Sequence, residues 1–461
     1  MDRLDSAPAA HYKNFRGEAM TGAVSHEIII ESQSKITRLS KRANPSILGR
    51  TLVAFFLIGL HANPFEMWQP IPFLLSMFAG GFLLLLHAES IPKKEIKWIS
   101  VFLLMALIST ILAPRPEYLL ARIRSLSYLV ASVLIAFALY IELKRWPRKT
   151  LARWAGGAAL ILLVGATLEV VFEPVKTASD AYRFINFRLP YANDERDLLY
   201  HGAIRPKFFS SEPSYLGKHF AVMLICWLFA TNQKGRFLLF MLATAIAVFV
   251  MRSPTLLLLP IAAALYLVSS FKRGKGILKI NFKLLLGIVA AITVVVVYII
   301  LFWDVIGTRL AQIVSGEDQS TAVRLIISFA IIPKLLVFNP VTGIGVGGAE
   351  AFAEDVILES YSGIALIRQM AAAGRLEYLI MNSIAQFIIT FGLLGGAVAL
   401  WSLIKLQQVS SRKRGFLFWM LLLAFALTEG ALNGLKLWSV FFVLLVYSSV
   451  FQTTKNAIRR K

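Results

Sequence analysis

Cysteine is nearly absent from this chain: Cys226 is the single one. One thiol excludes an intrachain disulfide and a thiolate metal cluster, and it leaves the redox compartment unreadable. Charge is scarce as well. Only 16% of the 461 residues are charged, whereas a soluble domain carries about a quarter. What fills the chain instead is hydrophobic, 57% of residues with a mean hydropathy of +0.68. A soluble core of this size still needs a polar shell. Long apolar runs with only short charged breaks therefore make the bilayer the solvent. The net charge of +22 falls in clusters between these runs rather than in one stripe, which argues for topology and against a nucleic-acid partner.

The first apolar run begins near Ile47, behind a polar stretch with no short apolar core close to Met1. No cleavable signal peptide is expected, and 1–46 reads as a flexible cytoplasmic tail. A spanning helix takes about 20 mostly apolar residues. The qualifying runs are 47–63, 68–88, 97–113, 125–141, 155–173, 212–230, 237–251, 254–271, 283–303, 383–404, 416–429 and 434–451. They predict an all-α, polytopic integral membrane protein with about 12 transmembrane helices.

Lysine and arginine in short loops set the orientation. Lys93, Lys94 and Lys97 follow the second run; Lys144, Arg145, Arg148, Lys149 and Arg153 the fourth; Lys272, Arg273, Lys275 and Lys279 the eighth; Arg412, Lys413 and Arg414 the tenth. Every strong cluster follows an even-numbered span, so both termini are expected in the cytoplasm. A first bundle then covers 47–303 with an outer loop at 174–211, a large extracytoplasmic loop covers 304–382, and 383–461 holds the last helices and a short basic tail. Within the large loop, Ala322–Phe338 is apolar but broken by Arg324, Pro333 and Lys334. Counting it as a span would place the Arg412–Arg414 cluster outside, so it reads as an amphipathic or partly inserted helix. No internal repeat or low-complexity tract is present.

The two long outer loops are where chemistry is expected. In RPKFFSSEPSYLG, Arg205 through Gly217, Ser210 or Ser211 is suited to cap a helix and Pro213 to its first turn. That would gather Glu212, Arg205 and Lys207 at the membrane surface, where ionisable groups are costly and point to function. The second loop carries AVRL and NPVTGIGVGG. Gly343, Gly345, Gly347 and Gly348 imitate a nucleotide fingerprint, but no βαβ unit surrounds them and no Gly-Lys-Ser/Thr follows. They predict a turn-rich reentry. Arg324, on an apolar face, calls for an anion or a cluster of carbonyls.

Three pieces in this order, RPKFFSSEPSYLG entering a span, AVRL with NPVTGIGVGG, and MNSIAQFIITFGLLGG entering the next span, resemble the O-antigen polymerase and ligase superfamily of bacterial envelope polysaccharide assembly. The resemblance covers roughly 200–460. It implies a metal-independent glycosyltransferase without a cofactor, acting outside the cytoplasmic membrane on glycans linked to undecaprenyl diphosphate, among membrane lipids and other polysaccharide assembly proteins. Arg205 and Arg324 would then grip the diphosphate and steady charge on the leaving group. Glu212 would serve catalysis with them, as acceptor-positioning group or base. Lys207, Arg252 in MRSPT, Asn382 and His201 would contact substrate. The family's third motif commonly begins His-Asn, and ligases are expected to use that histidine. This chain has Met381-Asn382. The departure favours a polymerase, with a ligase as the alternative and a transporter or lipid flippase as the reading from another class.

Overall fold

A computed structural model describes residues 45–64, 73–187, 194–257 except 234, 322–359, 380, and 382–459 except 412–414, with scattered positions between 259 and 311. The 1–44 part of the expected tail, part of the expected span at 254–271 and most of that at 283–303, the Lys272, Arg273, Lys275 and Lys279 cluster, loop residues 312–321 and 360–379, Met381 and the Arg412–Arg414 cluster lie outside the described residues.

The described residues hold thirteen α-helices and no strand. They are α1 (Ile47–Ala62), α2 (Leu74–Leu86), α3 (Lys93–Ile111), α4 (Leu119–Arg145), α5 (Arg148–Val171), α6 (Glu173–Asn186), α7 (Asp194–His201), α8 (Pro213–Ala230), α9 (Arg236–Met251), α10 (Ser328–Leu336), α11 (Ser383–Ser410), α12 (Gly415–Ala426) and α13 (Leu435–Arg459). Four are long and apolar enough to cross a membrane: α4 with its leading turn (Pro116–Arg145), α5, α8 and α11. Shorter apolar helices of 10–17 residues are α1, α2, α9, α12 and Leu435–Val450 of α13. The count of about 12 full spans is therefore not reached among the described residues. Chain turns set the shorter lengths: α1 stops at Asn63 and α2 starts after Phe73, both in the left-handed region at φ 42° and 59°.

Helix α4 packs on α13, α3 on α11, α5 on α8, and α1 and α2 on one another. Their shared core includes Phe56, Phe102, Phe137, Phe220, Trp438 and Phe442. Facing away from it are exposed Leu85, Leu120, Ile161, Leu238, Leu393 and Phe416. So much apolar surface on the outside of apolar helices suits a lipid surround and marks a membrane protein.

Helix α11 is broken. Gly392 sits at φ 65°, ψ −166°, a conformation open only to glycine, and it interrupts the ladder of hydrogen bonds. The turn at 339–345 repairs the gap: Leu393 N donates to Pro340 O (2.8 Å), Gly395 N to Val341 O (3.0 Å), and Ile344 N to Ile389 O (2.9 Å). Backbone at membrane depth has no water to bond, so such repair is obligatory. The glycines of NPVTGIGVGG therefore shape a turn plugged into a helix break, as Gly343, Gly345 and Gly347 at φ 74°, 81° and 71° require.

The buried polar groups gather at two ends of this bundle. Where α4 ends, His87 meets Glu142 at 2.6 Å and Lys144 meets Glu95 at 2.6 Å. Where α8 begins, the candidate site residues assemble.

Candidate functional site

The segment from Arg205 to Glu212 is held by a carboxylate from below. Glu169, near the end of α5, accepts from Lys207 N at 3.1 Å on each oxygen and from Phe208 N. Ser179 of α6 accepts from Phe209 N at 3.0 Å. Phe208 and Phe209 stand at φ 39° and 63°, and these fixed amides hold them there. The Phe208 ring fills the place a side chain at position 165 would need: a β-carbon on Gly165 would lie 2.1 Å from it.

The cations of this segment face α7. Arg205 reaches buried Asp197 with Nη2 (2.7 Å) and Nε (2.8 Å), and its main-chain N–H donates to the same carboxylate (3.2 Å). Lys207 Nζ lies 2.7 Å from Asp194. Arg205 and Lys207 are thus both paired with acids of α7. Beneath them Arg183 pairs with Asp180 at 2.9 Å; burial draws its guanidinium down from the usual range while Asp180 opposes this. Burial likewise pushes the neighbouring Tyr182 phenol up to about 12.

Helix α8 opens differently from expectation too. Glu212, not Ser210 or Ser211, occupies the N-cap, and its side chain makes no cap bond but accepts from Ser214 Oγ at 3.0 Å. Ser210 Oγ instead lies 2.6 Å from Lys207 O and 2.8 Å from Glu212 O, so it closes the turn. Pro213 takes the first turn of the helix as expected.

A second cluster begins one turn later. Lys218 is 5% exposed, donates to Thr428 O and stands 3.6 Å from Glu429 Oε2. Lys436, at the start of α13, places Nζ 3.2 Å from the Tyr215 ring centroid, with Lys218 Nζ 5.0 Å from the same ring. Arg324 and Glu212 lie close enough to act electrostatically on Lys218. Asn382 ties in the segment before α11: its Oδ1 accepts from Ile384 N (2.9 Å) and Ala385 N (3.2 Å) as a helix cap, and its Nδ2 donates to Arg324 O (3.0 Å). Beside it, Glu429 O accepts from Ser383 N (2.8 Å) and Ser383 Oγ (2.7 Å). Glu212, Arg324 and Asn382 thereby share one region although they are far apart in sequence.

Arg252 closes α9 at φ 46°. The turn behind it packs on α8, since a β-carbon on Gly217 would lie 2.7 Å from Ser253 Oγ. His201 is the last residue of α7, and its side chain lies outside the described set.

The sequence reading missed Lys436, Glu429 and the acids of α7, and it set Lys218 aside. Glu169, Lys218, Glu429 and Lys436 were legible as ionisable groups at the ends of apolar runs; nothing in the sequence said that those ends meet. From Lys218 and Thr428 an apolar furrow runs between α8, α12 and α13, past Ala221, Ile225, Leu421 and Leu444. Buried Lys218 thus lies at one end of a narrow apolar furrow. No protein-family model, curated protein or solved structure matches the chain.

Proposed function

We propose that this chain is a polysaccharide polymerase of the inner membrane, transferring a growing glycan from undecaprenyl diphosphate to a lipid-linked repeat unit at the outer face. The observation that carries the reading is the pair of buried cations, Lys218 and Lys436, over one Tyr215 ring, with Lys218 also lining the apolar furrow. The diphosphate of the lipid-linked donor would meet these cations. The acceptor hydroxyl attacks the anomeric carbon of the donor glycan, and the bond to the phosphate oxygen breaks with its electron pair staying on the diphosphate. The cations then stabilise charge that grows as the bond breaks, which is where binding energy accelerates a reaction. The loop-charge pattern supports cytoplasmic termini for this orientation.

Transfer of finished glycan to another acceptor uses the same donor chemistry, but methionine at 381 offers neither a base nor a strong hydrogen bond. Deleting the gene and separating lipid-linked and surface glycan by gel tests the choice. Loss of a polymerase leaves single repeat units that still reach the final acceptor. Long chains stranded on undecaprenyl diphosphate would overturn the assignment in favour of a ligase.

A further inference from the structure

Glu429 belongs to none of the motifs discussed above. It lies in the turn between α12 and α13, and its main chain is pinned by two bonds from Ser383. The residue is 5% exposed, yet Oε2 has no hydrogen-bond partner among the described residues. Buried carboxylates in folded proteins ordinarily have their lone pairs occupied, because an unmet charged oxygen is expensive. Lys218 Nζ forms an ion pair with it at 3.6 Å, longer than a hydrogen bond, and donates to Thr428 O. A buried carboxylate oxygen that accepts no hydrogen bond among the described residues thus stands in an ion pair with Lys218, in the region where Asn382 and Arg324 meet.

Three other candidate bases around Lys218 are already engaged. Glu212 takes the Ser214 hydroxyl. His61 and His219 face each other at 2.9 Å, and the second His61 nitrogen is 2.8 Å from Phe208 O.

We propose that Glu429 is a catalytic residue that takes the proton from the attacking acceptor hydroxyl, an inference that rests on the polymerase reading above. As the oxygen–anomeric carbon bond forms, the hydroxyl proton passes to Oε2. The anomeric carbon–phosphate oxygen bond breaks, and undecaprenyl diphosphate leaves with the electron pair. Lys218 is a positioning residue: its ion pair with Oε2 fixes where the carboxylate stands. The proton then returns to solvent and no other reactant is consumed. A carboxylate at 429 would supply, from another segment, the base that position 381 lacks.

The test uses the full chain in lipid nanodiscs with a purified lipid-linked repeat unit as both donor and acceptor. Glu429→Gln preserves shape and removes the base. Turnover is expected to fall by about 10²–10⁴, with KM within about threefold of wild type. Glu429→Ala, which opens a space, should regain turnover in sodium formate, and Arg324→Ala should not. A purely structural ion pair would not give formate rescue. Glu429→Gln at full turnover would remove Glu429 while leaving the polymerase reading intact. A loss without formate rescue would make Glu429 structural and overturn the proposal. Wild-type protein that makes no polymer would instead overturn the polymerase reading, and this inference with it.

Discussion

Gly343 and Gly392 touch backbone to backbone: a β-carbon built on Gly343 would lie 2.5 Å from the Gly392 amide nitrogen. Both residues are at positive φ, and together they let the 339–345 turn repair the break in α11. Alanine at either place meets backbone rather than a movable side chain. The loss of stability is expected to be on the order of 1–3 kcal/mol or more, read as a lower unfolding temperature in detergent. Gly157, with no atom within 4 Å of its would-be β-carbon, is the control, and alanine there should leave the melt unchanged or raised. Equal melting of all three variants would contradict a sealed helix break.

The bond between Arg205 and Asp197 separates a structural from a catalytic arginine. Removing one partner leaves a charge stranded, so Arg205→Ala and Asp197→Asn should each lose stability of about 3–5 kcal/mol. Combining them removes both charges and should recover much of that loss. If Arg205 also grips the diphosphate, product stays absent in the double variant, and Arg205→Lys rescues poorly because lysine lacks the planar fork. Product returning in the double variant would take Arg205 out of the mechanism.

On the polymerase reading, Lys436 and Arg324 hold the diphosphate. Alanine at either is expected to raise KM for the lipid-linked unit by about tenfold, as the loss of a charge-assisted hydrogen bond would. Steady-state kinetics in nanodiscs measure it. An unchanged KM in both variants would move the diphosphate elsewhere.

Orientation is testable at the two ends of α5. Glu173 and Lys149 are both exposed, and in a chain lacking Cys226 each would accept a single cysteine. An impermeant thiol reagent added to intact cells should label position 173 and spare 149. The reverse pattern would put the Lys218 cluster on the cytoplasmic side, where the proposed donor reaction does not belong.

Part of the site was readable along the chain. Pro213 announced the start of α8, and Asn382 reads as a cap because its short amide reaches the free amides of the first turn. Arg205, Glu212 and Arg324 stood out as charges at the edges of apolar runs. Their partners did not: Asp197 sits in an ordinary acidic stretch, and Glu429 looks like the end of a hydrophobic helix. The break at Gly392 was equally hidden, since FGLLGG reads as an uninterrupted apolar run.

Composition alone therefore determined that this chain is helical and built for lipid, because only apolar helices satisfy their own backbone where water is absent. It also determined which residues carry charge where charge is costly. Only the tertiary structure decided which of those charges meet. Packing α5 and α13 against α8 brings Glu169, Lys218, Lys436 and Glu429 to one end of the bundle, because neighbouring helices in such a bundle align their ends whatever their distance in sequence. Pairing Arg205 with Asp197 and leaving Glu429 with an open oxygen are distances, and hydrophobic periodicity carries no information about distances.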